Sequence, residues 1–419
     1  MTLREKIVNE IRQRGSIPFS RYMELCLDDP ELGYYTKNAE QFGKAGDFYT
    51  SSDVHAVFGR LLARQFEEMW RVLGRPEQIE ILELGPGRGL FAQDVLDWSE
   101  KKFPQFFAAL HYSLVEQSPA LRERLRVTLG RRCDAGKVSL PQRLKPSFSD
   151  VPYGTAKAVP FHGGAYSVES NTSGKGATSV VRHESELSRA LAPEVPLIVF
   201  ANEFFDALPV EVLSQQGELR VSEKEGRFIE TWAPASDEEI SFLDRYSVRP
   251  EPGERVESPL LAQEHMRDIA GQVTRGFLVA IDYGYTRQEQ LAGRNRGTVT
   301  AYRQHSVSAN PYEALGEQDM TAHVNFTALA AAAEQNGMWT QPLVTQSQFL
   351  MGIGEDNQFA DAFEDCRLPQ ERAKVALQLK HLVTPAGVGE SFQVLVCSRG
   401  VEAAQGARLS GLTFGKSRT

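Results

Sequence analysis

EILELGPGRGL, residues 80–90, runs a short apolar segment straight into three closely spaced glycines and then into residues with helical spacing. Gly85, Gly87 and Gly89 lie where a buried strand turns into a helix. Glycine at such a turn allows positive φ and lets a ligand approach the main chain. The helix behind it offers free N–H groups. Outward from this turn, 90–101 reads as a helix, YSLVE (112–116) as a second strand, and Ser118 as the cap of a helix running to about 128. Strand, helix, strand in that order implies parallel pairing with right-handed crossovers. Further buried strands are expected at PLIVFA (196–201), GFLVAIDYGY (276–285) and SFQVLVCS (391–398), with a helix over 326–336. The expected fold is α/β, a doubly wound and mostly parallel sheet.

The flanking segments differ in pattern. Leu3, Ile7 and Ile11 recur at helical spacing and Gly15 stops that helix; a second is expected over 19–27 and a third over 54–73. Residues 1–75 therefore read as an N-terminal helical region covering the site, ahead of a main domain over 76–400. GYYT (33–36) and FGKAGDFYTSSD (42–53) read as a Gly-rich loop. Residues 150–178, rich in Gly, Ser and Thr, read as a flexible insertion. VEVLSQQGELRVSEKEGRFIETWA (210–233) alternates around Gly-containing turns, which predicts a small antiparallel β cap inserted over about 210–260. The tail, 401–419, reads as loose.

Of 419 residues 41% are hydrophobic, enough for a sizeable core, and 46 basic against 55 acidic residues give a net charge of −9. That balance argues against bulk binding of nucleic acid or anionic lipid. Cys26, Cys133, Cys366 and Cys397 are scattered, without zinc-ligand spacing, and read as reduced thiols. No apolar run approaches the ~20 residues of a membrane span, and 1–15 lacks the apolar core of a signal peptide. These features predict a cytoplasmic chain.

The glycine turn fits one ligand class better than another. A dinucleotide fingerprint needs G-x-G-x-x-G, and here the third glycine comes one residue early. With Glu83 just ahead, the loop suits S-adenosylmethionine, which has no pyrophosphate and whose cationic sulfonium and ammonium favour nearby carboxylates. The bland alternative is a tight turn without a ligand. Glu116, at the tip of the second strand, is placed to accept hydrogen bonds from ribose hydroxyls; alone it would read as a solvated strand end. Asn202, Glu203 and Asp206 follow the strand that would flank the glycine turn. They could orient a nucleophile and accept its proton, or Asn202 and Asp206 could simply cap a helix. Asp282 and Tyr283 end the next strand and line the same crevice. Asp47, Thr50 and Ser51 lie in a loop whose hydroxyls could cover a ligand. Asp319, Thr321, His323 and Asn325 form a polar cluster with His305 nearby, and no metal site is expected.

GYYT, GDFYTSSDVHAVFG, ELGPGRG, NEFFDALPV, IDYG, GTVTAYRQH and DMTAHVNF occur in this order over 17–399. Together they resemble the MidA-like family, which includes the mitochondrial complex I assembly methyltransferase. The resemblance implies a class I methyltransferase (Rossmann-like) fold and S-adenosyl-L-methionine as cofactor. Gly85, Gly87 and Gly89 would hold the cofactor's amino-acid end and Glu116 its ribose, with Asn202, Glu203 and Asp206 at the transfer site. It also implies a protein substrate presenting an arginine, of the respiratory complex I subunit type, and a symmetric dimethylarginine product. A homodimer is compatible with it; nucleic acid and membrane insertion are not expected. Three alternatives stay open on the residues alone: methyl transfer to a small molecule or another residue, a cofactor-binding assembly factor without turnover, and a nicotinamide-dependent oxidoreductase.

Overall fold

Strand Ile79–Leu84 lies inside a nine-stranded sheet. Its alternate side chains go to opposite faces, as the two-residue period of a strand requires. Ile79 and Ile81 join a core formed with helices Val57–Val72 and Leu90–Lys102. Leu82 and Leu84 join a second core under helices Leu260–Gln272 and Phe326–Gln335. Burial on both faces is why the strand carries apolar residues at both odd and even positions, with only Glu80 and Glu83 breaking the run. The structure, a computed structural model, describes residues 1–37, 56–141, 195–291, 297–303, 306–308 and 310–415. The expected insertion at 150–178 lies outside the described residues, as do Asp47, Thr50, Ser51 and His305.

The main path of the sheet runs Trp339–Thr340, Phe392–Arg399, Gly276–Tyr285, Leu197–Asn202, Ile79–Leu84, Leu110–Val115, Val138–Ser139. The last five strands are mutually parallel, and Phe392–Arg399 runs antiparallel to Gly276–Tyr285. From Ile79–Leu84 the chain first winds outward to Leu110–Val115, then returns to add Leu197–Asn202 on the other side. The strand order therefore reverses between Ile79–Leu84 and Leu197–Asn202, and the carboxyl ends there define a crevice of the kind where open α/β sheets bind ligands. Register brings the strand ends level, with Leu84 opposite both Val115 and Ala201, and Asn202 opposite Ile281.

A satellite unit packs beside this sheet. Helix Leu3–Arg14 starts at a capping box of Thr2 and Glu5 and ends at Gly15 with φ 81°. With helix Phe19–Asp28 it packs on the strands expected as a β cap, Glu211–Ser214, Gly217–Lys224 and Arg227–Ala233. Ile17–Pro18 pairs with Gly217–Lys224 as an end strand, a position that tolerates proline. A three-stranded sheet of Thr300–Arg303, Ser306–Ser308 and Asp319–Thr321 adds Ala301 and Met320 to the same core.

Several details differ from expectation. GYYT is not all loop: Tyr34–Lys37 forms one helical turn. Helix Pro119–Asp134 continues past 128 because Leu121, Leu125 and Leu129 keep one face buried. The region over 210–260 is not purely β, since Ser236 and Glu239 form a capping box that opens helix Asp237–Tyr246. The tail is not loose up to Gly415. Leu409 and Leu412 are buried, and the Ser410 and Gly411 N–H groups donate to Glu68 and Gln65. Among the described residues no helix is long and apolar enough to cross a membrane.

Candidate active site

The three glycines of the turn all adopt left-handed φ, at 61°, 52° and 76° for Gly85, Gly87 and Gly89. Their surroundings separate them. A Cβ on Gly87 would meet nothing within 4 Å, so this residue faces open crevice. A Cβ on Gly85 would come to 3.3 Å from Phe204, and one on Gly89 to 2.6 Å from Leu125. Gly89 thus lets helix Pro119–Asp134 pack against the turn, in addition to any ligand role. The Gly85 N–H donates to the Val115 carbonyl at 3.1 Å, which ties the turn to the strand that ends beside Glu116.

Glu116 is buried at that tip, and its Oε1 accepts the Ser118 N–H at 2.9 Å. Burial raises its carboxyl to about 7, against the opposing pull of the Ser118, Gly87 and Gln117 N–H groups. The acid and the bare main chain of Gly87 therefore face each other. Glu83 points to the sheet face shared with Ile81, where it accepts the Tyr112 hydroxyl at 2.9 Å. Burial pushes its carboxyl up to about 8, the Tyr112 hydrogen bond opposes this, and the charge of Glu116 adds to it. These residues fit S-adenosylmethionine. Gly87 leaves room at the main chain, Glu116 offers acceptor oxygens for a ribose diol, and two proton-retaining carboxyls gain from a nearby cation.

On the other side of the reversal, Asn202 ends its strand and Glu203 adopts a left-handed φ of 50°, uncommon for a residue with a side chain. The Glu203 N–H donates to the Ile281 carbonyl at 2.9 Å, and the Asn202 side-chain amide donates to Glu203 Oε1 at 3.0 Å. No helix follows, so the capping alternative for Asn202 and Asp206 does not occur. Instead Asp282 organises the loop. Its Oδ2 accepts the N–H groups of Phe205 at 3.0 Å and Asp206 at 3.3 Å, and its Oδ1 accepts the N–H of Tyr283 at 3.0 Å. Burial, then the charges of Asp206 and Glu203, hold the Asp282 carboxyl well above the usual range.

Asp206 is also buried, and burial raises it to about 6 against the Tyr283 hydroxyl and the Ala207 N–H. Its Oδ1 is enclosed and accepts no hydrogen bond. Tyr283 packs edge-on against His323, with ring centroids 5.3 Å apart. The structure therefore brings together Asn202, Glu203, Asp206, Asp282, Tyr283 and His323, and sets Gly85 against Phe204 of the same loop. Asp319 of the polar cluster also converges here, with two residues that the sequence reading did not single out, Tyr35 and Tyr302. The Tyr35 hydroxyl donates to Asp319 Oδ1 at 2.7 Å, and the charges of Asp206 and Asp319 reach both Tyr35 and Tyr302. GYYT marked Tyr35 as part of a motif, but nothing local linked it to a residue so far along the chain. Among the described residues, no group of His, Cys, Asp and Glu is arranged to hold a metal ion.

Comparison with known proteins identifies the family and the fold. The sequence model of a family described as S-adenosyl-L-methionine-dependent methyltransferase matches residues 61–344. The mitochondrial protein arginine methyltransferase NDUFAF7 homolog of Drosophila melanogaster is 28% identical over 418 residues, 96% of this chain and 86% of that protein. The mitochondrial protein arginine methyltransferase NDUFAF7 of Homo sapiens is 26% identical over 403 residues, covering 92% and 81%. A crystal structure from Burkholderia thailandensis, solved bound to S-adenosyl-homocysteine, superposes with a TM-score of 0.76 at 26% identity, over 97% of this chain and 94% of that one.

These relatives overturn the expected cytoplasmic location, because the curated ones are mitochondrial by name. The inference failed because a missing apolar segment speaks only against secretion. Mitochondrial targeting uses amphipathic, Arg-rich segments that leave no such mark. Crevice, bare glycine, strand-tip acid and family match lead to one conclusion: this chain belongs to the S-adenosyl-L-methionine-dependent methyltransferase family, with a class I methyltransferase fold.

Proposed function

We propose that the chain transfers methyl groups to a guanidino nitrogen of an arginine in a protein substrate. One observation carries this reading. The two buried carboxyls Asp206 and Asp282 adjoin each other beside the glycine turn, the Asp206 N–H donating to Asp282 Oδ2 at 3.3 Å, and among the described residues no lysine or arginine is one of the leading influences on their protonation. Burying two carboxyls together is costly unless a cation arrives to pair with them. A guanidinium brings that charge and five planar donors. The names of the curated relatives point to the same acceptor.

S-adenosylmethionine, when bound, supplies a methyl group on a positively charged sulfur. The residues of the chain do the rest. Glu203, steadied by the Asn202 amide, and Asp206 would grip the guanidinium and turn one nitrogen lone pair toward the methyl group, supplying orientation. A guanidinium has a pKa above ~12 and keeps its proton before transfer. Once the N–CH3 bond forms and the S–CH3 bond breaks, the acceptor carries an additional positive charge. Asp206, ionised above about 6, would take the released proton. A symmetric dimethylarginine product and a complex I subunit target belong to the same proposal and rest on the family resemblance; a homodimer is compatible with it. The cofactor roles of Glu83, Gly85, Gly87, Gly89, Glu116, Thr50 and Ser51, and the lining role of Asp47, are likewise proposals.

The test is to incubate the protein with methyl-labelled cofactor and cell lysate, and to map labelled residues by mass spectrometry. Label on arginine is expected; label confined to other residues or to small molecules overturns the reading. Glu203→Gln should bind S-adenosylhomocysteine normally and lose about 100-fold or more in turnover, the usual contribution of a positioned acid–base group. Parent-rate transfer by that variant removes Glu203 from the mechanism.

A further inference from the structure

The GYYT motif, outside the methyltransferase crevice in sequence, is built to deliver one side chain. Gly33 packs so tightly that a Cβ would lie 2.5 Å from the Asp29 nitrogen and 2.6 Å from the Leu27 carbonyl oxygen. The Gly33 N–H donates to the Asp29 carbonyl at 2.9 Å, and the Thr36 hydroxyl donates to the same carbonyl at 2.7 Å. Lys6, on helix Leu3–Arg14, pairs with the Asp29 carboxylate at 2.9 Å. The turn thus held presents Tyr35, whose hydroxyl meets Asp319.

Asp319 is buried at the start of its strand, directly opposite Tyr302 in the ladder. That strand is fastened to the acidic loop, because the Ala322 N–H donates to the Asp206 carbonyl oxygen at 2.9 Å. The segments that carry Asp206 and Asp319 are therefore tied together by main chain. Of the Asp206 carboxyl, Oδ1 is enclosed and accepts no hydrogen bond from the protein. Five guanidinium donors exceed what one carboxylate accepts in a single plane, and a second carboxylate on the adjoining strand can take the remainder.

We infer that Asp319, oriented by the Tyr35 hydroxyl, is a specificity-determining residue that holds the outer edge of a cationic acceptor opposite Asp206. Tyr35 is then a positioning residue supplied by the N-terminal unit. It fixes the rotation of the Asp319 carboxylate and touches the acceptor only through it. The inference rests on the arginine reading for the shape of the cation. The arrangement explains why an N-terminal tyrosine is brought to strands 284 residues away.

The experiment titrates Nα-acetylarginine amide, with neutral Nα-acetylcitrulline amide as control, into the full chain saturated with S-adenosylhomocysteine, and follows ligand resonances by NMR. Wild type should prefer the arginine amide. Asp319→Asn should weaken that binding at least tenfold and Tyr35→Phe several-fold, while Asp319→Glu restores part of it and S-adenosylhomocysteine affinity stays at the parent level. With an acceptor peptide, the loss should appear in KM more than in kcat. A wild type that does not prefer the arginine amide overturns the arginine reading. A wild type that does, with Asp319→Asn discriminating equally well, overturns the clamp alone. Parallel loss of S-adenosylhomocysteine affinity makes Asp319 a scaffold residue and also overturns it.

Discussion

The Asp282 carboxyl accepts the Phe205 N–H at 3.0 Å across 77 residues of chain. Through this bond the end of strand Gly276–Tyr285 dictates the shape of the loop that carries Glu203 and Asp206. An acid at that strand end is an organiser, whether or not it meets a substrate. Asp282→Ala strands the buried N–H groups of Phe205 and Asp206. It should cost about 2–4 kcal/mol in urea unfolding and lower kcat/KM by the misplacement of Glu203. Asp282→Asn keeps one oxygen acceptor and should retain most of the stability. Equal unfolding midpoints for the alanine variant and the parent would contradict this role.

The glycines of the turn should separate by experiment. Both Gly87→Val and Gly89→Val place a side chain at left-handed φ, a strain of about 1–2 kcal/mol. Only at Gly89 does the new Cβ also collide with Leu125, at 2.6 Å. Gly89→Val should therefore lose the larger share of stability, with about 1–3 kcal/mol of overpacking added. Gly87→Val should fold and fail to bind S-adenosylhomocysteine in calorimetry. Parent-like affinity in Gly87→Val would mean the cofactor does not approach that main chain.

How much was legible in the sequence depended on distance along the chain. The turn at 85–89, Glu116 and the strand ends at Asn202 and Asp282 are local signals, since glycine spacing and buried β runs announce themselves within ten residues. Helix Asp237–Tyr246 was also announced, by Ser236 and Glu239 at capping-box spacing, inside a segment whose alternation pulled the reading toward strand. Helix Leu260–Gln272 has no side-chain cap at Pro259 and went unread. The meeting of Tyr35 with Asp319 has no local signature at all. It exists because the Ile17–Pro18 strand and the Thr300–Arg303 sheet share one core with Val221, Ala301 and Met320.

The raised carboxyls give the free protein a defined pH dependence. Glu83 titrates near 8 in the folded chain and near 4.5 when unfolded, chiefly through burial. Between those values the folded state holds a proton that the unfolded state has released. Stability from this group is complete below about 4.5 and is lost as pH rises through about 8. Urea unfolding of the wild type should show a decline across that window. Glu83→Gln keeps an acceptor for Tyr112 and should flatten the decline by up to a few kcal/mol. Identical slopes for the two proteins would show that Glu83 is not held protonated.

The C-terminal segment, expected to be loose, should prove to be a structural clasp. Glu68 takes the Ser410 N–H at 3.0 Å and its hydroxyl at 2.6 Å, while Gln65 takes the Gly411 N–H at 3.0 Å. Both acceptors sit on helix Val57–Val72, which also packs Phe58, Leu61 and Phe66 into the core beside Phe91 and Phe200. Leu409 and Leu412 are buried in the same cluster, each burial contributing about 1.5–3 kcal/mol. Removing residues 409–419 exposes that apolar surface and takes from Gln65 Oε1 and Glu68 the donors of Ser410 and Gly411, leaving only the Gln65–Glu68 side-chain bond among the described residues. Thermal unfolding should fall by several degrees, on the scale of about 2–4 °C per kcal/mol for a large domain. Because the clasp lies on the helix leading to the glycine turn and not on the turn, S-adenosylhomocysteine affinity below the new midpoint should match the parent's. An unchanged midpoint after truncation would show that these contacts add nothing to the fold.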